Sequence, residues 1–160
     1  MTGLTFVRIR PYLDVMIDEL YSREILRRTT QLQHLGRLAN PQGTADRVAK
    51  LCGSTIHVEL NLGGAPDDEC ISDFAMEIQA CALGQAAAAI LSQHVVGAQV
   101  GDVVAARDAL RALLKGEETA FPPRFADLEI LKSVKDYPAR HASTLLSLEA
   151  TVDAIYAIVD

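Results

Sequence analysis

Ser54-Thr55-Ile56-His57-Val58-Glu59-Leu60-Asn61-Leu62, the turn-rich Gly63-Gly64-Ala65-Pro66-Asp67-Asp68 and the arm Ile71 to Gln79 decide the fold. The first stretch has period two: Ser54, Ile56, Val58, Leu60 and Leu62 share one face, and Thr55, His57, Glu59 and Asn61 the other. The second arm sets Phe74, Met76 and Ile78 against Ala75, Glu77 and Gln79. With turn residues between them, the two arms read as a β-hairpin. Matching apolar to apolar across it places Leu60 opposite Phe74, Val58 opposite Met76 and Ile56 opposite Ile78.

Outward from the hairpin the period changes. Upstream, Ile17, Leu20, Tyr21 and Ile25 recur at helical spacing, which predicts an amphipathic helix from Met16 to about Arg28. Gly36, Asn40-Pro41 and Gly43 mark an irregular connection, and Thr44 to Lys50 reads as a short third strand. Downstream, Leu83 to Val96 is a helix closed by Gly97, with the small run Ala86 to Ala89 open to close packing. Asp102 to Lys115 carries a stripe of Val103, Ala106, Leu110, Leu113 and Leu114, and Phe125 to Val134 is a shorter helix after Pro122-Pro123. Beyond Pro138 a last, long helix presents Leu145, Leu148, Val152, Ile155 and Val159. Helix, strands, then helices is an α+β order, a three-stranded antiparallel sheet covered by helices on one face. Met1 to Val15 reads as a mobile extension and residues 16–160 as one domain.

Composition narrows the function. The 160 residues are 49% apolar and 22% charged, with 15 Lys and Arg against 21 Asp and Glu. That balance is globular rather than disordered. A net charge of −6 argues against a nucleic-acid partner, which demands clustered cations. Apolar runs such as Ala86 to Leu91 fall far short of the roughly 20 residues that cross a bilayer. Three cysteines cannot all pair, so they read as reduced thiols in a cytoplasmic setting. No nucleophilic triad, P-loop or dinucleotide fingerprint supports an ordinary metabolic enzyme.

The hairpin register bears on those thiols. Cys52 and Cys81 are one residue out of being directly opposite at its open end, close enough to share an ion. Strict alternation would send them to opposite faces, so one must leave its strand first; Gly53 and the helix start near Ala82 allow this. A cysteine just before a helix also meets free amides that favour an anion. Buried cysteine is common as a small hydrophobe, so spacing alone leaves a structural role open. Cys70, at the closed end, is a bystander. His34, His57 and His94 read as structural.

Leu51-Cys52-Gly53-Ser54 opening a strand, Ala80-Cys81-Ala82-Leu83-Gly84-Gln85-Ala86 entering a small-residue helix, and Tyr137-Pro138-Ala139-Arg140 before the last helix resemble the IscU/NifU-type, SufU-like iron-sulfur cluster assembly scaffolds. The resemblance runs from about Leu20 to the carboxyl end. It implies the same three-stranded fold and a non-enzymatic scaffold. Such a scaffold takes sulfur from a cysteine desulfurase, holds iron or a nascent [2Fe-2S] cluster, or zinc, and passes the cluster to apo-proteins. Cys52 and Cys81 would be the main ligands. Departures accompany the match. Ser54 stands where the family has Asp, Ser143 where it has the third cysteine, Ala142 where many members carry His, and Ala80 where Gly is frequent. A neutral hydroxyl is a poor ligand for iron or zinc. His141, two residues from Ser143, is a candidate substitute, although positions two apart on a helix diverge. With two thiols, a cluster is expected to be labile or to need a homodimer. The alternatives are a degenerate homologue acting as an interaction module and a zinc-dependent sulfur-relay partner of a desulfurase.

Overall fold

The computed structural model describes residues 21–159. They form helix α1 (Arg23–Arg28), strands β1 (Gly43–Ala49), β2 (Ser54–Gly63) and β3 (Cys70–Gln79), helices α2 (Ala82–His94) and α3 (Val100–Leu114), 3-10 stretches Pro123–Asp136 and Pro138–Arg140, and the long helix α4 (His141–Val159). The strands make one antiparallel sheet in the order β1-β2-β3. Ile56 lies opposite Ile78, Val58 opposite Met76 and Leu60 opposite Phe74, the pairing that apolar matching requires. The register then shifts: Asn61 faces Asp73 but Leu62 faces Ile71, leaving Ser72 as an extra residue in β3.

The helices cover the face that carries Ser54, Ile56, Val58 and Leu60. Helix α4 lies across β1 and β2, and α2 and α3 pack on its other side. It is therefore buried around most of its circumference, Ser143, Thr144, Ser147 and Thr151 included. Thr144 and Thr151 donate their hydroxyls to Arg140 O and Ser147 O one turn back, each at 2.7 Å. Small residues permit the close approach. A Cβ on Gly43 would sit 2.2 Å from Ala154 O, so β1 reaches α4 only without a side chain there. Ala86 to Ala89 are fully buried in the same core.

The opposite face of the sheet is covered where charge gathers. Leu38 N–H donates to Glu59 Oε1 at 2.8 Å, and His57 is held between Asp46 and Glu59 at 2.8 Å on each ring nitrogen. His57 thus lies on this face with Thr55 and Glu59, as its parity indicates. Leu35 extends the sheet by pairing in parallel with Met76.

Several boundaries differ from the periodicity reading. Helix α1 is short and starts after Ser22, whose Oγ accepts from Ile25 N at 3.2 Å. The expected Met16 start and the Met1 to Val15 extension lie outside the described residues. Helix α3 begins at Val100, two residues earlier than its apolar stripe suggests. Pro123–Asp136 is 3-10 rather than α, with Phe125 at φ −112° and ψ 20°, because Pro122-Pro123 and this kink deny it a regular α start. Helix α2 ends at His94 with Val95 as its C-cap, two residues short of the expected Val96; Gly97, at φ +89°, stands in the turn beyond it and donates its N–H to Ile71 O at 2.8 Å. Among the described residues no helix is long and apolar enough to cross a membrane.

Candidate sulfur and metal site

Three chain segments converge at the open end of the hairpin. Cys52 sits in the exposed turn between β1 and β2, where Gly53 takes φ +74° and donates its N–H to Ala49 O at 2.8 Å. Ser54 opens β2 on the helix-facing side and is buried. Cys81 is the N-cap of α2, and Ser143 is buried in the first turn of α4. Both cysteines have thus left the strand ladder, whose last pair on that side is Thr55 with Gln79. The left-handed Gly53 and the helix start resolve the parity conflict between the two thiols.

The four side chains form an unbroken row. Cys52 Sγ is 3.0 Å from Ser54 Oγ, Ser54 Oγ is 3.2 Å from Ser143 Oγ, and Ser143 Oγ is 3.1 Å from Cys81 Sγ. Each hydroxyl can donate in either direction, so the row can direct its hydrogens toward either sulfur. Hydrogen bonding from the Ser54 hydroxyl, then from the Ser54 backbone, holds the Cys52 thiol below its ordinary pKa; burial opposes this, while Ser143 and the Arg140 charge assist. A depressed thiol pKa on an exposed turn is the setting of a reactive sulfur. Cys81 uses its side chain on Ser143 and makes no side-chain cap bond to α2.

The sequence-predicted residues divide accordingly. Cys52, Cys81 and Ser143 are brought together. His141 is not gathered with them: its Nε2 lies 3.0 Å from Val134 O and 3.1 Å from Lys135 O, where it ties the start of α4 to the 3-10 stretch. Cys70 faces Gly63 at the far end of the ladder. Ser54 was legible as a lost carboxylate on the face of Ile56 and Val58; its part in linking the two sulfurs was not. Gly84 keeps the row tight, since a Cβ there would meet Ser143 O and Ser143 Oγ at 3.0 Å and Ala80 Cβ at 2.9 Å.

This donor set does not fit a resident metal. A closed zinc site takes four Cys, His or carboxylate donors. Here two sulfurs are joined by two neutral hydroxyls, and no group of three His, Cys, Asp or Glu among the described residues could hold an ion.

Comparison with known proteins agrees with the fold. Residues 20–144 match the family described as NifU-like N terminal domain. The zinc-dependent sulfurtransferase SufU of Bacillus subtilis (strain 168) is 24% identical over 134 residues, covering 84% of this chain and 88% of that protein. The crystal structure of a nitrogen-fixing NifU-like protein (N-terminal) from Brucella abortus is 42% identical, with a TM-score of 0.82 over 90% of this chain and 97% of that one. A protein from Fervidobacterium islandicum AW-1, described as a proposed iron-sulfur cluster assembly scaffold for the SUF system, shares the fold at 20% identity and TM-score 0.74, over 86% of this chain and 98% of its own. With the family matched over most of its length and its two thiols at the hairpin mouth, the chain belongs to the NifU-like N-terminal domain family.

Proposed function

We propose that this protein serves iron-sulfur cluster assembly as a two-thiol carrier, receiving sulfur from a cysteine desulfurase and delivering it to apo iron-sulfur proteins. The observation that carries this reading is the row Cys52–Ser54–Ser143–Cys81, which activates one exposed sulfur and holds a second beside it. In the transfer step the Cys52 thiolate attacks the terminal sulfur of a persulfide donor. A new bond forms between Cys52 Sγ and that sulfur, the donor's own S–S bond breaks, and the donor leaves as a thiolate with the electron pair. Cys52 then carries the sulfane sulfur as a persulfide, with no change in overall oxidation state.

Iron, or a nascent [2Fe-2S] unit, is cargo in this reading. Cys52 and Cys81 supply two donors, and the remainder come from a second copy, a client or a small thiol. A zinc-dependent relay is less well supported, because the two hydroxyls stand where further zinc donors would be needed. A cytoplasmic setting suits the reading, since thiols stay reduced there. The test is sulfur uptake from a cysteine desulfurase and anaerobic iron reconstitution, on wild type, Cys52→Ser and Cys81→Ser. Cys52→Ser is expected to abolish persulfide uptake, and either change to reduce bound iron. Unchanged uptake and iron in both variants would sink the reading.

A further inference from the structure

The two thiols differ in placement, and the difference suggests a division of labour. Cys52 is exposed on a turn, beside a glycine whose Cβ position meets nothing within 4 Å. Cys81 is half-buried and anchored at the start of a 13-residue helix. One sulfur is open to solvent and the other sits at a helix start, with the Ser54 and Ser143 hydroxyls forming the row between them. No third sulfur, imidazole or carboxylate joins them among the described residues to hold a metal that would capture sulfide in place. Cys70, the remaining thiol, is at the opposite end of the sheet.

We propose that Cys81 is the resolving thiol of a sulfide-releasing reaction, discharging a persulfide on Cys52 by forming a Cys52–Cys81 disulfide. This rests on the proposed loading of sulfur onto Cys52. The Cys81 thiolate attacks Cys52 Sγ, and the Sγ–Sγ bond forms. The bond from Cys52 Sγ to the terminal sulfur breaks, and that sulfur departs with the electron pair as hydrosulfide. The proton lost by Cys81 goes to water. The sulfane sulfur is reduced to sulfide and the two cysteines are oxidised, so electrons balance without an outside oxidant. A small thiol or dithiol reductant returns the pair to the reduced state. The two sulfurs stand at the ends of one hydrogen-bonded row. A disulfide requires Cα atoms within about 7 Å, so closure has the exposed Cys52 turn move inward past the Ser54 hydroxyl. The product is free sulfide for a cluster completed elsewhere, which suits a chain holding two donors rather than four.

Inorganic polysulfide is the probe, added anaerobically to the full-length reduced protein with no other thiol present. Sulfide is measured in solution and sulfur state by peptide-resolved mass spectrometry. Wild type is expected to release one sulfide for each persulfide discharged and to accumulate the Cys52–Cys81 disulfide. Cys81→Ser is expected to keep the extra sulfur on Cys52 and lose the release, while Cys70→Ser behaves as wild type. Mapping the disulfide in wild type decides the matter even if a variant folds poorly. The proposal is overturned by a Cys52 persulfide that persists in wild type, by undiminished release from Cys81→Ser, or by a disulfide involving Cys70. If Cys52 takes up no sulfur at all, the carrier reading fails as well; uptake without internal release removes only the present proposal.

Discussion

Replacing Gly84 by alanine tests whether the packing of α2 on α4 holds the site together. In an ordinary helix this exchange stabilises by up to about 1 kcal/mol, since glycine is the poorer helix former. Here the added methyl has no room. It would lie 2.9 Å from Ala80 Cβ and 3.0 Å from both Ser143 O and Ser143 Oγ. Ala80 has no side-chain torsion to move it aside, and Ser143 O belongs to the backbone of α4. Overpacking of this kind costs about 1 to 3 kcal/mol, which offsets or outweighs the propensity gain, and a net loss of up to about 2 kcal/mol is expected. The only contact that yields cheaply is the Ser143 hydroxyl, and when it rotates it leaves Cys81 Sγ, now 3.1 Å away. Gly84→Ala is therefore expected to lower the urea midpoint and at the same time to speed alkylation of Cys81, with Cys70 as the unchanged internal reference. A variant more stable than wild type by about 1 kcal/mol, with Cys81 alkylated at the wild-type rate, would refute the reasoning.

Three further outcomes are expected. The double change Ser54→Asp with Ser143→Cys places a carboxylate and a third thiol at positions already within 3.2 Å of each other, and should raise zinc bound per chain, read by elemental analysis, well above wild type. On the far face, hydrogen bonding to Glu59 raises the His57 pKa above its ordinary 6.5, with Asp46 assisting and burial and Arg37 opposing. The same bond, with the Leu38 N–H, burial opposing and Arg37 assisting, lowers Glu59 below its ordinary 4.5. The stability from His57 is thus complete below 6.5 and lost as pH rises through its raised value, while that from Glu59 is lost as pH falls through its lowered one. His57→Gln should flatten the decline in urea midpoint between slightly acidic and mildly alkaline buffer; an unchanged slope refutes the assignment. Finally, Glu149, nearly buried, accepts from Arg111 Nε at 2.7 Å, Arg111 Nη2 at 2.8 Å and Arg107 Nη1 at 3.3 Å. Glu149→Gln should cost about 2 kcal/mol in urea unfolding, because it leaves Arg111 without its counter-charge and Arg107 with Asp108 alone. A loss within about 0.5 kcal/mol would class it with ordinary surface changes.

The hairpin was legible because an amphipathic strand repeats every two residues, and a one-residue slip would expose Ile56, Val58 and Leu60 to water. The bulge at Ser72 was not, since one extra residue leaves no mark on composition. Helices α2 and α4 were legible from long apolar stretches bounded by Gly97 and Pro138. The 3-10 winding of Pro123–Asp136 had a signal that an α reading overlooks: its buried Phe125, Leu128, Leu131 and Val134 recur strictly every three residues, the 3-10 period, whereas an α-helix would spread them over half its circumference. At the site, Cys52, Cys81 and Ser143 could be named from motifs. His141 could be named too, but its ring is committed to Val134 O and Lys135 O, carbonyls that become its neighbours only through the 3-10 stretch.

By itself the sequence determined the α+β class, the register of β2 on β3 up to the bulge at Ser72, the family, and two candidate thiols. These follow from local periodicity and residue identity, which do not depend on how distant segments meet. Only the tertiary structure decided that Ser54 and Ser143, 89 positions apart, share a hydrogen bond and link the two sulfurs into one row. That contact exists because α4 lies across β1 and β2 at the short distance that Gly43 and Gly84 permit, a three-body packing result that no single segment encodes.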